Sequence, residues 1–331
     1  MKVLFAIQGT GNGHLSRARD IIPLLKSKNI ELDILVSGVQ ADVDLPYEIK
    51  YKFEGLSFIF GKKGGIDLWK TYSNANLKDL RNDIKNFPVE NYDLVINDFE
   101  PVSAWAAKRK NVTCVSFSHQ SAVLSENAPK PKTPDFTGRQ ILNRYAPTEK
   151  QFGLHFEKYN TEIFTPIIRK EIREAESQNL GHYTVYLPAY NDERILSILS
   201  KIPEVKWQVF SKHNSQAITK DNVHIQPINN DAFIKSLLTC NGVFCGGGFE
   251  APAEALFLKK KLMVIPMKGQ YEQQCNAAAL HKMGVPVIDS LKKKYISKIK
   301  NWVTKGKLIS VNYPNQTEAI IDQILSYAKS K

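Results

Sequence analysis

Short apolar runs alternate with longer stretches of helical periodicity along most of the chain. KVLFAI (2–7), ELDILVSG (31–38), YDLVIND (92–98) and VTCVSFSHQ (112–120) read as buried strands. LSRARDIIPLLKSK, residues 75–87 and FEPVSAWAAKRK read as helices between them. Residues 47–60 alternate loosely and supply a further strand, and GKKGGIDLWKTY (61–72) is a surface loop of the kind that contacts ligands. Residues 121–150, with Pro129, Pro131, Pro134 and Pro147, lack pattern and read as a loop followed by a helix. A second series begins at HYTVYLP (182–188) after the polar run REAESQNLG. It continues as helix 193–201, strands 206–210 and 223–226, helix 231–238 and strand 241–245, and TEAIIDQILSYAK closes the chain as an amphipathic helix. Strands alternating with helices imply parallel sheets with right-handed crossovers. An α/β protein of two domains, 1–170 and 171–331, is expected, with the last helix free to pack back on the first domain.

Composition narrows the class. The 331 residues exceed one typical domain, and 43% hydrophobic content with 10% aromatics supplies globular cores. Cys114, Cys240, Cys245 and Cys275 form no CxxC pair, so reduced thiols are expected, not a zinc site or a disulfide framework. Neither a signal peptide nor a membrane span stands out, and a cytoplasmic protein is expected. The net charge of +12, with lysine clusters at 259–261 and 292–294, suits polyanions or the anionic cytoplasmic face of a membrane. Aromatics are not interleaved with that charge, so no nucleic acid is expected, and the first reading is a lysine-rich solvated exterior.

Two glycine turns carry the chemistry. The first strand runs into QGTGNGH, with Gly9, Gly11 and Gly13, and then a helix. His14 stands where a dinucleotide fingerprint has its third glycine, and the next strand ends in Ser37 and Gly38 instead of an acid, so a dehydrogenase is excluded twice. At a helix N-terminus a neutral imidazole is favoured, so His14 is a candidate general base; a capping role is its alternative. Asp98, at a strand end on the crevice side, either holds His14 in one tautomer or caps the following helix. His119 lies at the neighbouring strand end. The second turn is CGGGFEAPAEAL (245–256), a strand, three glycines and a helix start, which presents unpaired N–H groups and a positive dipole end to an anion. The strand LMVIP (262–266) follows, and its exit loop carries Gln270, Glu272, Gln273 and Asn276. Phosphate recognition facing acids and amides suits a nucleotide sugar.

These motifs, GTGxGH near the start and GGGFExxxEAL…P…GQxEQxxNA near the end, resemble those of the GT-B glycosyltransferases. The likeness is to the family 28 and UDP-glucuronosyltransferase-like group that includes the peptidoglycan UDP-N-acetylglucosamine transferase, and it covers most of the chain. It implies two Rossmann-like domains facing across a cleft, with a nucleotide-sugar donor, UDP-linked, on the C-terminal half and an acceptor on the N-terminal half. Gly247 and Gly248 would meet the pyrophosphate, with Phe249 and Glu250 beside them, and Glu254 would take the ribose hydroxyls. Glu272 and Gln273 would reach the sugar, with Gln270 also on the donor side and Asn276 supporting their loop. Gly11, Asn12, Gly13 and His119 would lie on the acceptor side, and His14 would act as base with Asp98 as its partner. An acceptor linked to lipid fits the basic surface. With no DxD-type pair beside the phosphate motif, inversion without metal or other cofactor is expected. Two departures stand out: the plant-type HCGW signature is absent, and Leu187-Pro188-Ala189-Tyr190 replaces a glycine loop. The competing readings are a sugar-nucleotide epimerase or hydrolase of the same fold and a non-catalytic nucleotide-sugar- or polyanion-binding protein.

Overall fold

In the computed structural model, which describes residues 1–38, 45–54, 60–61, 65–66 and 77–331, the apolar runs form two separate sheets. The first is built from β1 (Lys2–Gln8), β2 (Glu31–Ser37), β3 (Tyr51–Phe53), β6 (Leu94–Asp98), β7 (Cys114–Ser118), β8 (Lys150–Leu154) and β9 (Ile163–Phe164). They are all parallel, in the order β3-β2-β1-β6-β7-β8-β9. A small antiparallel ribbon pairs β4 (Phe60–Gly61) with β5 (Gly65–Ile66). The loop expected at 61–72 otherwise lies outside the described residues. β6 and β7 are buried along their whole length, as a parallel sheet covered by helices on both faces requires.

The second sheet contains β10 (His182–Tyr186), β11 (Lys206–Ser211), β12 (Ile218–Lys220), β13 (Val223–Pro227), β14 (Gly242–Gly246) and β15 (Lys261–Ile265), in the order β12-β13-β11-β10-β14-β15. It departs from an all-parallel sheet at one edge, where β12 runs antiparallel to β13 through a turn that puts Asp221 at φ 54°. β8 and β9 were not expected from the sequence; KQFGL is short and opens with two polar residues that give it no strand signature.

Each sheet has a point where the strand order reverses, between β1 and β6 in the first and between β10 and β14 in the second. In open α/β sheets the crevice at the carboxyl ends of those strands is where ligands bind. Both glycine turns lie there. The helix Asn12–Lys26 after β1 buries Leu15, Ala18, Ile21, Ile22 and Leu25 on one face. The helix Glu250–Phe257 follows β14. The closing helix Thr317–Lys329 buries Ile320, Ile321, Ile324 and Leu325 in the same apolar cluster as the first helix, and Lys28 donates to Glu318 at 2.9 Å.

The turn after β6 is strained. Phe99 adopts φ 60°, a region that a bulky side chain rarely enters, and its ring stacks on Tyr145 with centroids 4.5 Å apart. This twist brings Glu100 to the cap of the helix Pro101–Lys110, where its carboxylate accepts from the N–H groups of Val102 and Ser103 at 2.7 Å each. The cap is therefore Glu100, and Asp98 is left to pair with His14.

Candidate active site

His14 is the third residue of its helix, whose N-cap is Gly11 at φ 95°, so the imidazole is not a capping group. Its Nδ1 lies 2.9 Å from Asp98 Oδ1. A carboxylate only accepts, so Nδ1 carries the proton and Nε2 keeps its lone pair. Gln120 Nε2 donates to that nitrogen at 3.2 Å and to Glu272 Oε2 at 3.1 Å. The side chain of His14 is 13% exposed and that of Asp98 is wholly buried.

A buried arginine completes the cluster. Arg17 Nη2 donates to both oxygens of Asp98 at 2.7 Å each and sits 3.2 Å from His14 Nδ1, while Nη1 pairs with Glu250. Burial opposes the charge on His14, but Asp98 outweighs it, so the proton affinity is raised above the ordinary 6.5; Arg17 pulls it down and Glu250 pushes it up. The Asp98 carboxylate thus opposes the lowering that burial and the helix N-terminus exert on His14. Burial pushes the Asp98 carboxyl up, but Arg17 and His14 hold it below the usual range.

The helices Asn12–Lys26 and Glu250–Phe257 both begin without a side-chain cap, and both begin on one cleft of about 480 Å³. Asn12 and Gly13 line it from the N-terminal half; Gly246, Gly248, Phe249, Glu250, Glu254 and Gln273 line it from the other. Two helix N-termini without side-chain caps converge there with Arg19, an arrangement suited to an anion. Its volume falls in the range of small-molecule sites.

The remaining expected residues stand around this cleft in different ways. Gly247 spends its N–H on Ile265 O at 3.2 Å, and its carbonyl accepts from Asn276 at 3.1 Å. Gln273 Oε1 accepts from Met267 N at 2.9 Å, which fixes the exit loop. Gln270 precedes the helix Tyr271–Lys282 and buries its Oε1 without a protein partner. Glu254 lines the cleft, but both its oxygens are held by Arg169, from Nε at 2.6 Å and Nη2 at 2.8 Å. Burial raises the Glu254 carboxyl and Arg169 lowers it, with a net rise. His119 is 1% exposed and enclosed. Its Nδ1 is 2.7 Å from Leu154 O, its Nε2 is 2.7 Å from Asn276 Oδ1, and its ring stacks on Phe249 at 3.8 Å. It joins the two halves and does not line the cleft. Arg17 and Arg169 were not anticipated, and Gln120 was read only with Ser118 and His119 as one of the polar residues at a strand end.

Two sheets of this topology facing across such a cleft define the GT-B glycosyltransferase architecture. Its known examples include UGT2 of Phytolacca americana (12% identical, TM-score 0.59, covering 99% of this chain and 94% of that one). MurG of Acinetobacter baumannii (14%, 0.53, 98% and 99%) and SnogD of Streptomyces nogalater (12%, 0.52, 98% and 99%) share it as well. The model of glycosyl transferase family 1 matches residues 1–305, and the chain belongs to that family. It is a glycosyltransferase. No curated protein matches it in sequence.

Proposed function

We propose that the protein moves a sugar from a UDP-linked donor to an acceptor hydroxyl with inversion, without metal, using His14 as base and Asp98 as its partner. The carrying observation is the convergence of two uncapped helix N-termini on one cleft beside the His14–Asp98 pair. The diphosphate would lie against the N–H groups from Gly248 to Ala251, whose dipoles stabilise the charge that develops on the leaving group. Gln273 and Glu272 would reach the sugar. As the acceptor hydroxyl attacks the anomeric carbon, His14 Nε2 takes its proton; the carbon–oxygen bond to the diphosphate breaks and UDP leaves with the electron pair. Asp98 then faces an imidazolium across its hydrogen bond. UGT2 of Phytolacca americana, which shares the fold, was solved with UDP-2fluoro-glucose, and this supports a uridine donor. The narrower likeness to family 28 rests on the glycine motifs. We assign the enzyme to the cytoplasm; the lysine-rich exterior leaves room for contact with an anionic membrane, and among the described residues no helix is long and apolar enough to cross one.

The test is thermal unfolding with UDP and a panel of UDP-sugars, in EDTA and again in magnesium. A ligand at 100 times its dissociation constant adds about 2.7 kcal/mol. Equal stabilisation in both buffers is expected, and the anomeric configuration of the product, read by NMR, should be opposite to that of the donor. No response to any nucleotide would overturn the reading.

A further inference from the structure

Behind Gln120 lies a second cavity, of about 230 Å³, between the first sheet and the helix Phe136–Tyr145. Its floor is a cross-strand row: Asn97 on β6 pairs with Ser116 on β7, and Ser116 with Gln151 on β8, so the three side chains share one face. A sheet face under a helix is ordinarily apolar. Here eight of the thirteen lining residues are amides or hydroxyls, and none carries an ionisable side chain. Two of them hold unmet hydrogen-bonding capacity: Ser116 Oγ and Gln120 Oε1 are buried with no partner in the protein, in residues only 5% and 4% exposed. Buried polar atoms are nearly always paired, so these two await a partner from a water or from a ligand hydroxyl.

Resting on the transferase reading above, we propose that this cavity receives the acceptor, and that the acceptor end is an uncharged, hydroxyl-rich ring the size of a monosaccharide, not an apolar or anionic group. Position favours this. Gln120 both lines the cavity and donates to His14 Nε2, so an occupant of the cavity lies one side chain from the base. Size agrees, because the cavity is smaller than the 300–1,000 Å³ of drug-sized sites. The absence of ionisable side chains from the lining disfavours a phosphate or carboxylate there, and its polar floor disfavours a flat apolar ring, which would leave Ser116 and Gln120 unpaired. The Phe99 ring, fixed by its stack on Tyr145, supplies the one aromatic wall against which the C–H face of a sugar can lie.

The experiment is saturation-transfer NMR on the intact protein with UDP present. The probes are methyl glucoside, methyl galactoside, N-acetylglucosamine and myo-inositol, set against 4-nitrophenol and glucose 6-phosphate. At least one uncharged polyol should bind, and Ser116→Ala and Asn143→Leu should each weaken it by ~10-fold, the scale of a lost hydrogen bond in a closed site. Their UDP-dependent rise in melting temperature should match the wild type, which also shows that they fold. Binding of 4-nitrophenol or the phosphate in preference, no polyol binding, or polyol binding indifferent to both variants would overturn the proposal. Failure of UDP to bind the wild type would instead count against the donor reading.

Discussion

Arg17 and Glu250, 233 positions apart, form an ion pair, buried on the arginine side, that ties the first helix of one sheet to the anion-facing helix of the other. The same guanidinium holds Asp98, so one cation serves two carboxylates and lies against the imidazole of His14. Arg17→Met strands Asp98 in the interior, and breaking a buried pair from one side costs about 3–5 kcal/mol. Urea unfolding should show a loss on that scale. Glu250→Gln keeps an acceptor for Arg17 and should cost clearly less; equal losses would mean that the Arg17–Glu250 contact, not the Asp98 contact, carries the stability.

The pH dependence has a definite sign. The proton affinity of His14 is raised above 6.5, so the base form accumulates only at higher pH, and UDP release should rise along a limb whose midpoint lies above 6.5. Asp98→Asn removes the attraction for the imidazolium and leaves burial to dominate. The limb should then shift below 6.5, while turnover falls by roughly 10²–10⁴-fold as the tautomer is lost. A wild-type limb centred below 6.5 contradicts this.

Two neighbouring glycines separate fold from ligand. A Cβ on Gly247 would stand 2.9 Å from the carbonyl oxygen of Gln273 and 3.1 Å from Pro266 Cα, both backbone atoms that cannot yield cheaply. Gly247→Ala should cost about 1–3 kcal/mol by overpacking. A Cβ on Gly248 meets nothing within 4 Å, and the residue lines the cleft. Gly248→Ala should leave unfolding within about 0.5 kcal/mol of wild type and still weaken UDP binding, as calorimetry would report.

Glu254 needs its partner removed before its role can be read. Glu254→Ala leaves the largely buried Arg169 with only Glu171 and Asn230, so a loss of up to about 3–5 kcal/mol is expected apart from any effect on donor. The double variant Arg169→Met/Glu254→Leu should recover most of that loss in urea unfolding. Additive losses would show that the pair is not coupled.

Most of the strands, both glycine turns and the alternation of helix and strand that makes an α/β fold were legible because they rest on local patterns: apolar runs, Gly9 to Gly13, Gly246 to Gly248. The network that gives His14 its chemistry was not. Arg17 sits three residues after His14 in what reads as an ordinary amphipathic helix, and only the tertiary fold brings Asp98, 81 positions on, and Glu250 to it. Periodicity carries no information about such pairings. His119 drew attention because histidine is chemically conspicuous, whereas the less conspicuous Gln120 beside it touches the base. Glu100, not Asp98, caps the next helix because Phe99 takes a left-handed turn that no sequence rule assigns to phenylalanine.

The most direct test of the account is the release of UDP from a UDP-sugar by His14→Ala, measured beside the affinity of that variant for UDP. If His14 is the base, turnover falls ~10²-fold or more, the usual scale of a lost general base, while UDP binds as it does to wild type. Turnover that survives the substitution unchanged would contradict the mechanism proposed for this site.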